Sequence, residues 1–218
     1  LAQDVGADRV ARLGGDRGRP TTVVGLEQFA LGHDRGASHD HSRIIRYSYH
    51  TPGYVRLAAE AYEAWDAVAA EAGEELVVRT GGVDLFPAGG AIPIEGYTGS
   101  FDAVGVPYGL LGADDPRRRF PQFRVADDLT ALFQADTGIA PAARGTAAHQ
   151  RLAAARGVDL RTGTAVAGIV SDGAGDLTVV TTDGSGYRTG SVIVCADAWT
   201  APLLAPLGVA LPLEVTRE

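Results

Sequence analysis

Four strand-like runs occupy residues 159–196, and the last, Val192-Ile193-Val194-Cys195-Ala196, is apolar at every position. Such a run has no polar face to turn to water. It therefore predicts a strand covered on both sides, as in a parallel sheet flanked by helices. The earlier runs, 159–161, 165–171 and 177–182, are separated by Asp172-Gly173 and Asp183-Gly184, dipeptides suited to tight hairpin turns. The alternation in Leu177-Thr178-Val179-Val180-Thr181 predicts a half-exposed antiparallel ribbon.

Helical periodicity precedes these strands. From residue 52 to 71, Tyr54, Leu57, Ala58, Ala61, Trp65, Val68 and Ala69 recur at three- and four-residue steps and predict an amphipathic helix. An alanine-rich stretch at 141–156 predicts another, and a third is expected around 102–111. Strands are expected at 21–26, at 76–80 and 83–86 around Gly81-Gly82, at 132–135 and at 191–196. Residues 39–47 are expected to form one or two helical turns capped by Ser38, and 202–207 a short helix. The mixture places the chain in the α/β class.

Composition narrows the function. With 218 residues, 45% of them hydrophobic, the chain can bury a core in one large domain or two small ones. A formal charge of −8 and a pI near 5.1 argue against a nucleic-acid-binding face. The basic run Arg117-Arg118-Arg119, after Asp114-Asp115, is expected to be a solvated turn. A single cysteine, Cys195, excludes an intrachain disulfide framework and points to the cytoplasm; it is expected to be buried and inert. No apolar run reaches the roughly 20 residues that span a bilayer. The chain opens on Leu1 and contains no methionine, so it is expected to begin inside a longer product.

Three constellations can carry chemistry. Val23-Val24-Gly25-Leu26 ends in Glu27. In dinucleotide folds, an acid at this place accepts hydrogen bonds from the adenosine ribose, although an acid after a strand also serves as an ordinary solvated turn residue. The Gly-x-Gly-x-x-Gly turn expected about 20 residues earlier is absent, because Gly6, Gly14, Gly15 and Gly18 have the wrong spacing. The second constellation is Ser38-His39-Asp40-His41-Ser42-Arg43-Ile44-Ile45-Arg46. On a helical turn His39, Arg43 and Arg46 would share a side, with Ile44 and Ile45 anchoring the segment. The result would be a cationic cluster for an anion or an electron-rich ring, or simply a polar helix start. It makes a poor metal site. The third is Cys195-Ala196-Asp197-Ala198-Trp199, where small residues at a strand's end would let a cofactor approach the backbone.

Taken in order, Val24-Gly25-Leu26-Glu27-Gln28-Phe29, the Ser38–Arg46 stretch, Arg79-Thr80-Gly81-Gly82-Val83 and Val192 through Trp199 resemble the monomeric sarcosine oxidase and N-methyl-tryptophan oxidase family. That family belongs to the D-amino-acid-oxidase-like flavoproteins. The resemblance implies an FAD-binding, Rossmann-like domain of the GR2 type interrupted by a smaller α+β substrate domain, both incomplete. The FAD-binding domain would take 1–80 (1–20 atypical) and 141–210. The substrate domain would take 81–140, with a second segment opening at 211–218.

The resemblance also implies roles. Glu27 would hold the adenosine ribose of FAD, and Gln28 would also bind the cofactor. Ser38 and Ser42 would lie against the flavin and its phosphates, and His39 and Arg43 beside the isoalloxazine ring as catalytic groups. Arg46 would bind the substrate carboxylate, Val166 would offer its backbone to the adenine, and Ala196 and Trp199 would border the cofactor. The reaction implied is oxidation of a secondary amine, such as sarcosine or an N-methyl amino acid, by oxygen through FAD, giving imine and peroxide. Two alternatives remain: oxidation of glycine or cyclic imino acids, or a non-catalytic remnant. Asp197 departs from the family pattern, which usually has a glycine there. The partners implied are a small amine and oxygen, without nucleic acid or membrane; the sequence leaves the oligomeric state open.

Overall fold

A computed structural model describes residues 10–11, 22–171, 173 and 175–215, with the side chains of 10 and 11 left out. In chain order its strands are β1 (Val10–Ala11), β2 (Val24–Leu26), β3 (Arg43–Ile45), β4 (Val78–Arg79), β5 (Gly82–Phe86), β6 (Gly109–Gly112), β7 (Thr130–Gln134), β8 (Gly138–Ala140), β9 (Asp159–Arg161), β10 (Val166–Ser171), β11 (Leu177–Thr181), β12 (Gly186–Thr189) and β13 (Ile193–Val194). The helices are α1 (Pro52–Ala72), α2 (Ile94–Asp102), α3 (Asp114–Arg119), α4 (Ala142–Ala155) and α5 (Thr200–Leu204). The chain divides into two compact units, residues 1–39 with 146–218, and residues 40–145.

The first unit holds a mixed sheet in the order β13-β1-β2-β9 and an antiparallel ribbon β10-β11-β12. β2 and β9 are parallel, with Val24 opposite Asp159 and Leu26 opposite Arg161. Gly25 lies against the neighbouring strand's side chain: a Cβ there would sit 2.7 Å from Leu160 Cδ2, which would have to move. Leu26, Val166, Ile169, Val179, Ala196 and Leu203 form its core, so the ribbon and α5 are packed by the apolar alternation seen in sequence.

The uniformly apolar run behaves differently from expectation. Among the described residues, only Ile193–Val194 is paired, antiparallel to β1, and Ile193 and Cys195 are exposed. The predicted buried parallel strand is therefore short and partly open, and Cys195 is an exposed thiol. An apolar sequence makes burial favourable, but only a neighbouring element can supply it. Strand β12 was not foreseen. It follows the Asp183-Gly184 turn and pairs with β11, Val179 opposite Tyr187.

The second unit contains two antiparallel sheets, β3-β8-β4 and β5-β7-β6, together with α1 and α2. The strands expected around Gly81-Gly82 exist, but they belong to different sheets. Helix α1 starts with Pro52 in its first turn, where a missing N–H costs nothing, and ends at Gly73, whose N–H bonds Ala69 O. Its buried face is turned from the expected one. Tyr54 and Leu57 are 60% and 59% exposed, while Val55 and Tyr62 are buried. The helix expected around 102–111 is replaced by α2, which ends at Asp102, and by β6. Phe101 of α2 packs with Val55 and Leu132 at the centre of this unit.

The triple-arginine segment is helical, not a turn. In α3, Arg117 donates to Val125 O and pairs with Asp114 and Asp127, and Arg118 pairs with Asp115. Arg119 lies over the Phe133 ring, 4.2 Å from its centroid. Oppositely charged residues three apart favour this turn of helix. Among the described residues, no helix is long and apolar enough to cross a membrane.

Candidate functional site

Glu27 follows the C-terminal end of β2 and is only 7% exposed. Burying a carboxylate is costly unless hydrogen bonds compensate, and the loop after the strand supplies them. Phe29 N–H donates to Oε1 at 2.8 Å, and His33 Nε2 approaches the same oxygen at 3.3 Å. The backbone is fixed as well: Glu27 N–H donates to Arg161 O, and Glu27 O accepts from Thr164 N–H, both at 2.8 Å. Among the described residues, Oε2 has no hydrogen-bond partner. Glu27 is thus a held acid with one acceptor left over, not the solvated turn residue that sequence left as an alternative.

Beside it lies a cleft of about 280 Å³ bordered by Val23, Leu26, Glu27, Leu31, His149 and Leu160, among others. Small-molecule sites commonly span roughly 300–1,000 Å³, so this volume suits a nucleoside-sized piece and not a whole dinucleotide. A mainly apolar wall with an acid at its rim suits a planar ring against the wall and a hydroxyl-bearing group at the carboxylate. The glycines expected to grip, or fail to grip, the pyrophosphate (Gly6, Gly14, Gly15 and Gly18) lie outside the described residues.

The same unit holds Gln28, half-buried, and Ser38, exposed, whose carbonyl accepts from Thr146 Oγ1 at 3.0 Å. His39 is half-buried, and its ring makes no hydrogen bond among the described residues. Val166, at the start of β10, and Ala196, before the turn, are fully buried. Trp199 N–H donates to Ala196 O at 2.8 Å, and its ring packs on the core of the unit.

Asp197 ties two of the sequence constellations together. Its φ of 44° is in the left-handed region, where glycine is at ease and Asp is among the few other residues tolerated. Glycine would meet this backbone without strain. In its place, Asp197 turns Oδ2 to the backbone N–H of Ala37 at 3.1 Å, pinning the loop that carries Ser38 and His39.

Ser42, Arg43 and Arg46 belong to the second unit, and there the helical reading fails. Arg43 lies in β3, so alternation replaces the four-residue step, and Ile44 is 72% exposed instead of anchoring the core. Adjacent β-branched residues and a waiting partner strand, with Ile44 opposite Ile139, favour the extended form. Arg43 Nη1 bonds Asp40 Oδ2 at 3.1 Å and Ser42 O at 2.9 Å. Asp40 is held below the usual carboxylate range, first by the His41 backbone N–H and then by the Arg43 bond. The cationic cluster is therefore partly neutralised from within. Arg46 pairs with Asp84 at 3.5 Å and lies over the Tyr49 ring at 5.7 Å; both groups are accessible enough for an incoming carboxylate to compete.

Sequence reasoning missed His33 and Asp84. The available signal for His33 was a histidine six residues after a strand-ending acid, in a loop too short for the two to separate far. Asp84 carried no signal, since only the fold brings β5 beside Arg46.

The sequence matches the family described as FAD dependent oxidoreductase over residues 11–217. The monomeric sarcosine oxidase of Streptomyces avermitilis is 33% identical over 199 residues, which is 90% of this chain and 50% of that protein. The peroxisomal sarcosine oxidase of Homo sapiens is 32% identical over 195 residues, 89% of this chain and 49% of that protein. Among solved structures, the open form of a NikD variant, an unusual amino acid oxidase essential for nikkomycin biosynthesis, has a TM-score of 0.76 at 30% identity, covering 85% of this chain and 48% of that one. The chain spans about half the length of the curated relatives it matches. From a buried strand-end acid beside a nucleoside-sized cleft to a match along nearly its whole length, the chain belongs to the FAD-dependent oxidoreductases of the sarcosine oxidase type.

Proposed function

We propose that this chain forms the adenosine-binding part and part of the substrate-binding side of a cytoplasmic FAD-dependent oxidase of secondary amines, such as sarcosine or an N-methyl amino acid. The observation that carries the proposal is Glu27, buried at the end of a parallel strand with one oxygen fixed and the other open. The bound flavin would supply the redox chemistry, accepting hydride equivalents from the carbon beside the amine nitrogen and passing them to oxygen as peroxide. The chain's residues do the holding. Glu27 and Gln28 take the adenosine end, with Val166 offering its backbone to the base. Ser38, Ser42, Ala196 and Trp199 border the cofactor, and His39 and Arg43 supply positive charge and hydrogen bonds at the ring. Arg46 orients the substrate through its carboxylate, drawing on its exchangeable pairing with Asp84.

A second reading, a non-catalytic chain that binds nucleotide weakly, is favoured by Asp197. Its carboxylate occupies the Ala37 N–H and adds negative charge at a turn expected to border a cofactor carrying two phosphates. One experiment separates the two readings. The purified chain is mixed with FAD, freed of unbound ligand and examined for the visible absorbance of oxidised flavin. Retained flavin that is bleached on adding sarcosine supports the oxidase. Retained flavin without bleaching supports the second reading, and failure to retain FAD refutes the cofactor site in this chain.

A further inference from the structure

The proposal concerns His33 and rests on reading Glu27 as the ribose ligand. The imidazole is held from three sides. Arg35 N–H donates to Nδ1 at 3.0 Å, Nε2 stands 3.3 Å from Glu27 Oε1, and the Phe29 ring meets it edge-on with centroids 4.9 Å apart. Its side chain is 19% exposed, so this is not a freely rotating surface group.

The hydrogen-bond pattern fixes the tautomer. A nitrogen that accepts from a backbone N–H carries no proton, so the neutral ring bears its proton on Nε2, the nitrogen that faces Glu27. Oε1 therefore accepts from Phe29 N–H at 2.8 Å and has the His33 Nε2 beside it at 3.3 Å, so the ring limits how far the carboxylate can rotate. A carboxylate that grips a diol must hold its plane against rotation about its terminal bond, which is otherwise soft. Phe29 alone supplies one point of restraint, and His33 supplies the second.

We propose that His33 is a positioning residue that orients Glu27 and so sets the preference of this site for a ribose over a deoxyribose. It does not touch the nucleotide; it acts through the acid.

Two substitutions divide the roles of the ring. In His33→Gln the terminal amide nitrogen stands where Nε2 stands, and a donor to Glu27 is kept. In His33→Asn the side-chain oxygen replaces Nδ1 as acceptor for Arg35 N–H, preserving the turn, but nothing reaches Glu27. A purely structural histidine would be replaced better by asparagine, and a positioning one by glutamine.

The purified chain and both variants are titrated with ADP and with 2′-deoxy-ADP, with thermal melts confirming that all three are folded. The wild type is expected to prefer ADP by about tenfold or more, the scale of one hydrogen bond to a charged group. The glutamine variant is expected to stay within about threefold of that preference, and the asparagine variant to lose most of it. Full preference in His33→Asn would overturn the inference while leaving Glu27 as the ribose ligand. Equal loss in His33→Gln would show that the donor is not what matters, and would overturn it too. No preference in the wild type would remove the ribose reading of Glu27, and this inference with it.

Discussion

Replacing Gly138 with alanine tests whether the sheet bearing Arg43 is packed as described. Gly138 lies in β8, the central strand of its sheet, opposite Ile45 of β3 on one side and Arg79 of β4 on the other. A Cβ at this position would sit 2.3 Å from Val78 O and 3.1 Å from Arg79 Cα. These are backbone atoms, which cannot swing aside as a side chain would. Reaching ordinary contact at 3.4 Å requires the strands to separate locally by about 1.1 Å, enough to break the hydrogen bonds at that point. Alanine gains roughly 0.4–1 kcal/mol by restricting the unfolded chain. Overpacking costs roughly 1–3 kcal/mol, and each lost hydrogen bond about 1 kcal/mol more, so destabilisation wins. The assay is hydrogen exchange of peptides covering 43–46 and 76–80. Amide exchange there should accelerate by roughly 5- to 150-fold, the equivalent of 1–3 kcal/mol of lost local stability. Gly112→Ala, at a β6 position where a Cβ meets nothing within 4 Å, serves as control and should be neutral or slightly stabilising. Unchanged exchange in Gly138→Ala, or equal effects of the two substitutions, would refute the packing argument.

Tyr62 donates to Asp136 O at 2.7 Å and stacks on Tyr47 at 4.5 Å; Tyr62→Phe should cost about 1–2 kcal/mol in urea unfolding by stranding that carbonyl. Burial, then the neighbouring Tyr47 and Asp136, push the Tyr62 phenol above the ordinary 10.0, so the folded state favours the protonated form. Its contribution is complete below pH 10.0 and is lost as pH rises from there towards the folded value; Tyr47, shifted the same way, reinforces it. Tyr62→Phe should flatten that alkaline decline, and an unaltered decline would count against the assignment. Asp197→Ala should destabilise by about 1–2 kcal/mol, losing the Ala37 bond while keeping the positive φ, whereas Asp197→Gly should be near neutral; denaturant melts decide. Cys195 should react with an aromatic disulfide reagent in the native protein as fast as in the unfolded one, and slow native labelling would show that it is covered.

What was legible in sequence follows from how local each cause is. Helices α1 and α4 and strands β9, β10 and β11 were readable because periodicity and Asp-Gly turns act over a few residues. The face of α1 was not, because Tyr54 and Leu57 are as apolar as Val55 and only the partners Phe101 and Leu132 choose between them. Residues 39–47 failed for a related reason. The four-residue spacing of His39 and Arg43 is compatible with a helix, but strand β8, almost a hundred residues away, offers Ile44 and Ile45 a ladder instead. Glu27 was correctly singled out as the acid after β2, but its burial was invisible, since that depends on the Phe29 N–H and on His33.

These non-local contributions change what the candidate site can do. An exposed acid at a strand end binds a sugar poorly, because water competes for every hydrogen bond and the carboxylate rotates freely. Burial alone would not help, since it raises the cost of holding the charge. Burial with the Phe29 N–H on one oxygen and the His33 ring beside it eases both problems, since the charge is partly compensated and the carboxylate is less free to rotate. The same economy appears at Asp197, whose strained backbone is offset by a bond that fixes the loop bearing Ser38 and His39. It appears again at Arg46, where Asp84 satisfies the guanidinium without burying it. In each case a charged group is held by one named partner in place of full enclosure by several. That arrangement suits residues that receive a ligand better than it suits residues that only stabilise the fold, where full satisfaction would be the more stable solution.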